Sequence, residues 1–204
     1  MKKKEIKKLL KDHVAKLSDY GNIKVLDFKR PDSGVYRMRF IFEEDYCRLH
    51  ISGDLGALSA TNFNNMCLEK FGDFTRDTDY FREKINCSEH DLFYFDEEKA
   101  KEELSAYFEN AGIEESEATY YVESVLFEFT DSDGMSDRGR GRLAMILDDD
   151  YEAFKLMQEL GKPPTDILDW YTAAFELACD DLAKQEDTEG EAATNENLYG
   201  SNGR

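Results

Sequence analysis

Residues 35–52 read Val-Tyr-Arg-Met-Arg-Phe-Ile-Phe-Glu-Glu-Asp-Tyr-Cys-Arg-Leu-His-Ile-Ser, and this stretch decides the fold. Apolar and polar side chains alternate up to Phe42 and again from Tyr46 onward, with a polar link between the two runs. Alternation with a period of two is typical of a half-buried strand. The pattern therefore predicts two antiparallel strands that share one apolar face and one polar face.

Further elements flank these two strands. Residues 23–30 predict a preceding strand, because they end at Pro31-Asp32-Ser33-Gly34, a β-turn with Pro second and Gly last. Residues 92–95 predict a short fourth strand. Apolar residues at helical spacing predict one amphipathic helix over residues 3–18, which we expect to pack on the sheet rather than on a membrane. Two short helices are expected over the remaining ranges, 62–71 and 79–85.

From residue 96 onward the apolar period becomes helical. Four apolar stripes predict four helices, of which the last begins near Ile167. The chain after residue 185 loses its apolar residues, which predicts a disordered acidic tail. We therefore expect an α+β protein with an N-terminal helix, an antiparallel sheet of three to four strands and a mostly helical acidic half. The predicted divisions are 1–95, 96–184 and the tail 185–204.

The charge of the chain is distributed unevenly. The formal net charge is −19. Residues 1–90 hold 17 Lys and Arg against 15 Asp and Glu, a net of +2, whereas residues 91–204 hold 9 against 30, a net of −21. A strongly negative half-chain repels nucleic acid and anionic membranes and attracts basic protein surfaces. Its alternative role is solubility alone.

The patterns for metal and catalytic sites are weak. Cys47 and His50 would point to opposite faces of a strand, so together with Cys87 and His90 they do not predict a zinc site. Residues 131–137 have an aspartate spacing that does not fit a calcium loop, and we expect a helix-terminating loop there. We expect no cofactor, no metal and no catalytic residue. Four widely spaced cysteines and the lack of an apolar leader favour a reducing cytoplasm.

Two basic clusters stand out from this acidic background. The first lies on the polar face of the predicted sheet, where it would bind an anion, RNA or an acidic surface, or else pair with the acidic helices of the same chain. The second alternates with glycine and predicts a flexible cationic loop, which would contact phosphate or neutralise nearby aspartates. The members of the two clusters are Arg37, Arg39, Arg48 and His50, and Arg138, Arg140 and Arg142.

One part of the chain resembles a known pattern. Leu49-His50-Ile51-Ser52-Gly53-Asp54-Leu55-Gly56, followed by Asp79-Tyr80-Phe81-Arg82-Glu83-Lys84-Ile85, is similar to a Gly-Asp-x-Gly and Tyr-Phe/Leu-x-x-Lys-Ile pattern in uncharacterised small proteins of phages and mobile elements. Ala57 to Ala60 depart from it, since an aromatic residue often follows the second glycine there. The resemblance covers about 40 of the 204 residues. It implies a location in the cytoplasm of a bacterial host, in a setting where acidic inhibitors of host defence, including anti-CRISPR proteins of type II systems, are frequent.

These observations lead to one hypothesis and one alternative. The hypothesis is a non-enzymatic inhibitor that occupies the basic groove of a host nucleic-acid-binding protein, such as a CRISPR nuclease–RNA complex, without binding membranes or free nucleic acid. The alternative is an accessory protein that contacts nucleic acid through its two arginine clusters. The candidate partner-binding residues of the hypothesis are Glu97, Glu98, Glu102, Glu114, Glu115, Glu117, Asp148, Asp149 and Asp150.

Overall fold

A computed structural model describes residues 1–130 and 134–199 of the chain. It confirms the α+β class, with a six-stranded antiparallel sheet and seven helices in the described ranges. The chain divides into two compact units. The first unit combines Met1–Leu92 with the chain from Asp166 onward, and the helical unit is Phe93–Thr165.

The sheet of the first unit is a simple meander. Each strand pairs antiparallel with the next one along the chain, so the spatial order is the sequence order. Two edges result, one at the first strand and one at the last. The strands are β1 Val14–Asp19, β2 Ile23–Lys29, β3 Met38–Glu43, β4 Arg48–Gly53, β5 Leu58–Thr61 and β6 Ile85–Ser88.

Three helices complete the first unit: α1 Lys3–Leu9, α2 Thr78–Glu83 and α7 Ile167–Tyr199. The apolar face of the sheet is buried against α7, whose Phe175 ring meets Phe40 and Phe42 edge-on at centroid distances of 5.7 and 6.0 Å. Aromatic pairs at this spacing add to the free energy of burial. The alternation quoted above therefore forms the core of this unit.

The prediction of one helix over residues 3–18 is wrong. The helix ends at Leu9, and β1 begins at Val14. Ala15 is buried while its neighbours Val14 and Lys16 are exposed, so this segment follows the strand period. The apolar spacing of this segment fits a helix as well as a strand. Pairing with β2 and packing on α7 decide in favour of the strand.

Other local predictions also differ from the structure. Residues 62–70 form turns and a bend in place of the predicted helix, and a 3-10 helix follows at Phe71–Thr75. Asparagines at three of the first four positions favour turns. The strand predicted from residue 46 begins at Arg48, since Cys47 has a left-handed conformation with φ 52° at the end of a 3-10 turn. Residues 92–95 supply only an isolated bridge between Phe93 and Pro164.

The last helix also departs from the sequence expectation. Residues 166–184, expected to belong to the acidic helical subdomain, lie in the first unit. Where a tail was expected from residue 185, α7 continues to Tyr199. Gln185 donates a hydrogen bond to the Ala15 carbonyl at 3.1 Å, which anchors this part of the helix on β1. Residues 200–204 of the predicted tail lie outside the described residues.

The helical unit has a core of its own. Leu104, Phe108, Val125 and Leu143 are fully buried in it. None of the described helices in either unit combines the length and the apolar character that a bilayer crossing requires. The helices of the unit are α3 Glu97–Asn110, α4 Glu115–Leu126, α5 Asp137–Leu147 and α6 Asp150–Glu159, with a two-residue ribbon of β7 Phe129–Thr130 and β8 Gly134–Met135.

The prediction of a cationic loop at residues 138–142 is wrong, because these residues form the first turns of α5. Ser136 caps the helix by accepting a hydrogen bond from the Gly139 N–H at 3.1 Å. Asp148 ends it in a left-handed conformation with φ 52°. Of the candidate calcium loop, Asp137 begins α5, whereas Asp131, Ser132 and Asp133 lie outside the described residues.

Candidate functional site

All nine carboxylates singled out from the sequence are exposed on the helical unit. Glu97, Glu98 and Glu102 lie on the first turns of α3. Glu114 is the N-cap of α4, and Glu115 and Glu117 follow in its first turn. The remaining three, Asp148, Asp149 and Asp150, connect α5 to α6.

An ion pair and a hydrogen bond fix how α4 and α5 run relative to each other. Arg138, at the start of α5, pairs with Glu128 just beyond α4 at 3.4 Å. Arg142, one turn later, donates to the Ser124 carbonyl at 3.0 Å. The two helices are therefore antiparallel. With the same rise per residue in both helices, Asp148 lies level with the first turn of α4.

The start of α6 lies at the same end of the unit. Burial raises the pKa of the Tyr107 hydroxyl on the last turns of α3, and the charges of Glu152 and Asp149 add to this effect. Glu152 and Asp149 therefore lie beside the end of α3, from which a short turn leads to α4. We call this region, where α4 and α6 begin, the acidic end, and its members are Glu114, Glu115, Glu117, Asp148, Asp149 and Asp150.

The nine carboxylates thus form two groups rather than one patch. Glu97, Glu98 and Glu102 are at the opposite end of α3, which at 14 residues is about 20 Å long. The acidic end holds the larger group. It is the stronger candidate for a charged contact because several charges act together there.

Few of these charges are neutralised by the chain itself. Among the described ion pairs, Asp150 has a cationic partner, Arg140, and the other eight candidates have none. Asp149 caps α6 by accepting a hydrogen bond from the Glu152 N–H at 3.0 Å. The positive ends of the dipoles of α4 and α6 help to hold this negative charge in place. In sequence, residues 93–165 carry 19 acidic and seven basic residues, a net charge of −12.

The arginine cluster on the sheet is largely neutralised by nearby carboxylates. Arg39 donates to both oxygens of Asp27, which is its directly opposed residue on β2, at 2.6 and 3.1 Å. The backbone N–H and the guanidinium of Arg37 both donate to the Asp54 carboxylate, each at 3.1 Å. These hydrogen bonds lower the pKa of the Asp54 carboxyl. The acidic helices of the same chain were one of the partners expected for this cluster. The partners described for Arg37 and Arg39 instead lie within the sheet and its turn.

The other two members of this cluster lie near Glu43. Arg48 is opposite Glu43 in the register of β3 and β4. His50 Nε2 lies 3.3 Å from the Glu43 carboxylate. Carboxylates therefore pair with Arg37 and Arg39, and Glu43 lies opposite Arg48 and beside His50, which reduces the positive charge that the cluster offers to an external anion.

A group of possible metal ligands occurs elsewhere in the first unit. The ligand atoms of Glu44, Cys67 and Glu69 all lie within 4.8 Å of one another. The Lys24 ammonium pairs with both carboxylates, and the hydrogen bond to Glu69 raises the pKa of Lys24. This cation already supplies the positive charge that the carboxylates need. Sequence reasoning missed the group because two segments more than 20 residues apart supply its members.

A depression of about 740 Å³ lies between α4 and α5. Its lining includes Tyr120 and Met145, which are 68% and 86% exposed, and Gly141. No sequence pattern points to this feature, because the stripes of α4 and α5 meet only in the folded unit. It places the arginines Arg138 and Arg142 beside apolar side chains.

No protein-family model, curated protein or solved structure matches the chain. The likeness to proteins of phages and mobile elements therefore stands on the quoted residues alone. The acidic end and the α4–α5 depression are the two features of the helical unit from which a function can be argued.

Proposed function

We propose that the chain is a non-enzymatic binding protein, encoded by a phage or mobile element, that inhibits a nucleic-acid-handling host protein. In this proposal the acidic end enters the basic groove in which the host protein holds nucleic acid. The observation that carries the proposal is the exposure of the carboxylates without cationic partners. The CRISPR nuclease is the specific candidate target, because of the setting that the resemblance implies.

The physical basis is competition for positive charge. A groove that binds a nucleic-acid duplex is lined with lysine and arginine, whose counter-ions are released when phosphates bind. A compact cluster of carboxylates satisfies the same side chains. It is also steered toward them, because opposite potentials raise the rate of association. Glu97, Glu98 and Glu102 supply a second, separate contact at the other end of α3.

The alternative, direct binding of nucleic acid through the arginines, has less support. Arg37 and Arg39 are paired with Asp54 and Asp27. Arg140 is paired with Asp137 and Asp150. A mobility-shift assay at low salt separates the two proposals, because the inhibitor needs no binding to free DNA or RNA and the alternative requires it.

The test uses a guide-loaded type II CRISPR nuclease and plasmid DNA. We expect the chain to inhibit cleavage, and a variant with a neutralised acidic end to lose at least about tenfold in inhibitory potency. Asparagine retains the capping function at position 149 and tolerates the left-handed conformation at 148, so local structure is preserved. The variant combines Glu114→Gln, Glu115→Gln, Glu117→Gln, Asp148→Asn and Asp149→Asn.

A control variant removes the same charge from other exposed positions. It should inhibit as strongly as the unchanged chain. An equal loss of inhibition in both variants would mean that net charge alone is responsible. Full inhibition by the acidic-end variant would mean that the acidic end is not the contact surface. A chain that neither inhibits the nuclease nor binds it with or without guide RNA would rule out this target. The control carries Asp32→Asn, Asp45→Asn, Asp73→Asn, Glu83→Gln and Asp187→Asn.

A further inference from the structure

The outer face of α5 carries two residues, Gly141 and Met145, that packing within the chain does not explain. Met145 is 86% exposed. Gly141 lies inside the helix, where glycine is destabilising relative to alanine, yet an added Cβ would meet nothing within 4 Å. Gly139, by contrast, is needed, because its Cβ would lie 2.9 Å from the Glu128 Cβ. Packing within the chain therefore gives no reason for glycine at position 141.

These two residues belong to one stripe along α5. Arg138, Gly141 and Met145 follow one another at intervals of three and four residues, which places them on the same side of α5. Asp148, the residue that ends α5, follows three residues after Met145. The stripe begins with a positive charge and ends with a negative one. Arg138 has an 81% exposed side chain and Asp148 is also exposed.

The stripe is complementary to itself when reversed. If two such helices pack antiparallel with Arg138 opposite Asp148, then Gly141 falls opposite Met145 in both directions. Each exposed methionine then meets a bare glycine, and each arginine meets an aspartate. This is the relation that a two-fold axis imposes, since the same surface serves both partners.

We propose that the α5 stripe is the interface between two copies of this chain, related by a two-fold axis at the level of Leu143. Met145 of each copy fills the space above Gly141 of the other, and the missing Cβ lets the helices approach closely. Methionine suits this role because its flexible chain adapts to an irregular gap. Tyr120, 68% exposed beside the same depression, flanks the contact.

Charge complementarity favours a second copy over nucleic acid as the occupant. The net charge of −12 on the helical unit opposes a polyanion and a second copy alike, so the local pairing along the stripe decides between them. A phosphate chain along the stripe would meet the Asp148 carboxylate as well as Arg138. A second copy brings one carboxylate to each arginine and no phosphate chain. The interface is small because α5 has 11 residues and is about 16 Å long, so we expect a weak dimer.

Sedimentation equilibrium over a series from about 5 to 500 µM measures this association directly. We expect a monomer–dimer equilibrium for the unchanged chain. Arg138→Glu alone and Asp148→Arg alone should each weaken the dimer at least tenfold, because each places like charges opposite one another. An equimolar mixture of the two single variants should recover the dimer, since every opposed pair is then of opposite sign. The double variant should recover it for the same reason.

Two further variants test the apolar centre. Gly141→Leu should abolish the dimer by filling the space for Met145, whereas Ala106→Leu, an exposed change on α3, should not. Lys155→Glu on α6 is the matched control for Arg138→Glu, because it makes the same change in charge away from the stripe. Circular dichroism checks that each variant is folded.

Several outcomes would overturn the proposal. They are a chain that remains monomeric at the highest concentration, single variants that dimerise as well as the unchanged chain, and a mixture that fails to recover the dimer. A monomeric chain is then tested with a 20-residue oligothymidylate. If this oligonucleotide quenches the tyrosine fluorescence of the unchanged chain but not that of the Gly141→Leu variant, the depression binds nucleic acid instead. None of these measurements involves a nuclease, so they test the dimer separately from the proposed function, with which the stripe shares Asp148.

Discussion

The Asp181 carboxylate accepts a hydrogen bond at 2.9 Å from the backbone N–H of Ala15, which lies 166 positions earlier in the chain. Ala15 is on β1, an edge strand of the sheet, and Asp181 is on α7. Gln185, one turn further along α7, donates to the Ala15 carbonyl. Both outward-facing backbone groups of this residue are therefore satisfied by one helix, which protects the edge from pairing with another chain.

We predict that Asp181→Ala lowers the free energy of unfolding by about 1–2 kcal/mol, because it leaves a partly buried N–H without a partner. Urea unfolding followed by circular dichroism measures the change. Asp180→Ala is the control, since Asp180 is exposed on the same helix and should change stability little. Equal effects from both substitutions would mean that helix propensity, and not the bond to Ala15, is responsible.

This contact shows why sequence reasoning finds only part of the sheet. The strands β2, β3 and β4 are predictable because their own alternation determines which face is buried. The apolar residues from Ile6 to Leu17 fit a helix or a helix followed by a strand. The choice depends on pairing with β2 and on Asp181, neither of which is local information.

The candidate site divides in the same way. The residue types of the acidic end were predictable, because charge is read directly from the sequence. Its grouping was not, since it depends on the antiparallel packing of α4 and α5. The neutralisation of Arg39 by Asp27 was also missed, because it follows from the β2–β3 register. The sequence pattern at residues 138–142 indicated a loop, and only the Ser136 cap and the packing of Gly139 make it helical.

We predict that Glu176→Gln destabilises the protein by about 1–3 kcal/mol near neutral pH and much less in acid. Burial opposes ionisation of Glu176, but hydrogen bonds from Lys3 and Lys7 outweigh it and lower the pKa of its carboxyl below the ordinary value of 4.5. A carboxyl whose pKa is lowered by folding stabilises the folded state above its ordinary pKa. That stabilisation is lost as the pH falls through the folded-state value.

The measurement for Glu176 is urea unfolding of both proteins from about pH 7 to pH 3. The difference in unfolding free energy should be constant at neutral pH and shrink below about pH 4.5. Glu186→Gln on the exposed part of α7 serves as the control and should give no such pH dependence. A difference that stays constant down to pH 3 would contradict the role of the two lysines.

We predict that Cys179 is the slowest of the four free cysteines to react with iodoacetamide and that Cys87 is the fastest. Burial raises the pKa of the Cys179 thiol to about 11, so at pH 8 only about 0.1% of it is thiolate, the reactive form. Cys87 is exposed on β6. Mass spectrometry of peptides after timed alkylation gives the order, and labelling in about 6 M urea should remove the difference.

Two glycines of one helix allow a paired prediction in which the same substitution acts in opposite directions. Gly141→Ala should raise the free energy of unfolding by about 0.5–1 kcal/mol, because alanine favours the helix and the new methyl meets nothing within 4 Å. Gly139→Ala should lower it by about 1–2 kcal/mol, because the methyl would lie 2.8 Å from Met135 Cγ and 2.9 Å from Glu128 Cβ.

Urea unfolding at about 5 µM keeps the chain dilute enough for the weak association proposed above to contribute little. Each variant is the control for the other, since the helix, the residue change and the gain in propensity are shared. The difference between them therefore isolates the packing of Gly139 against β8 and the end of α4. Stabilisation by both substitutions would mean that α5 can move away from Glu128 at little cost. In that case the alternating glycines would not be explained by packing within the chain, and both positions would have to be attributed to an external contact.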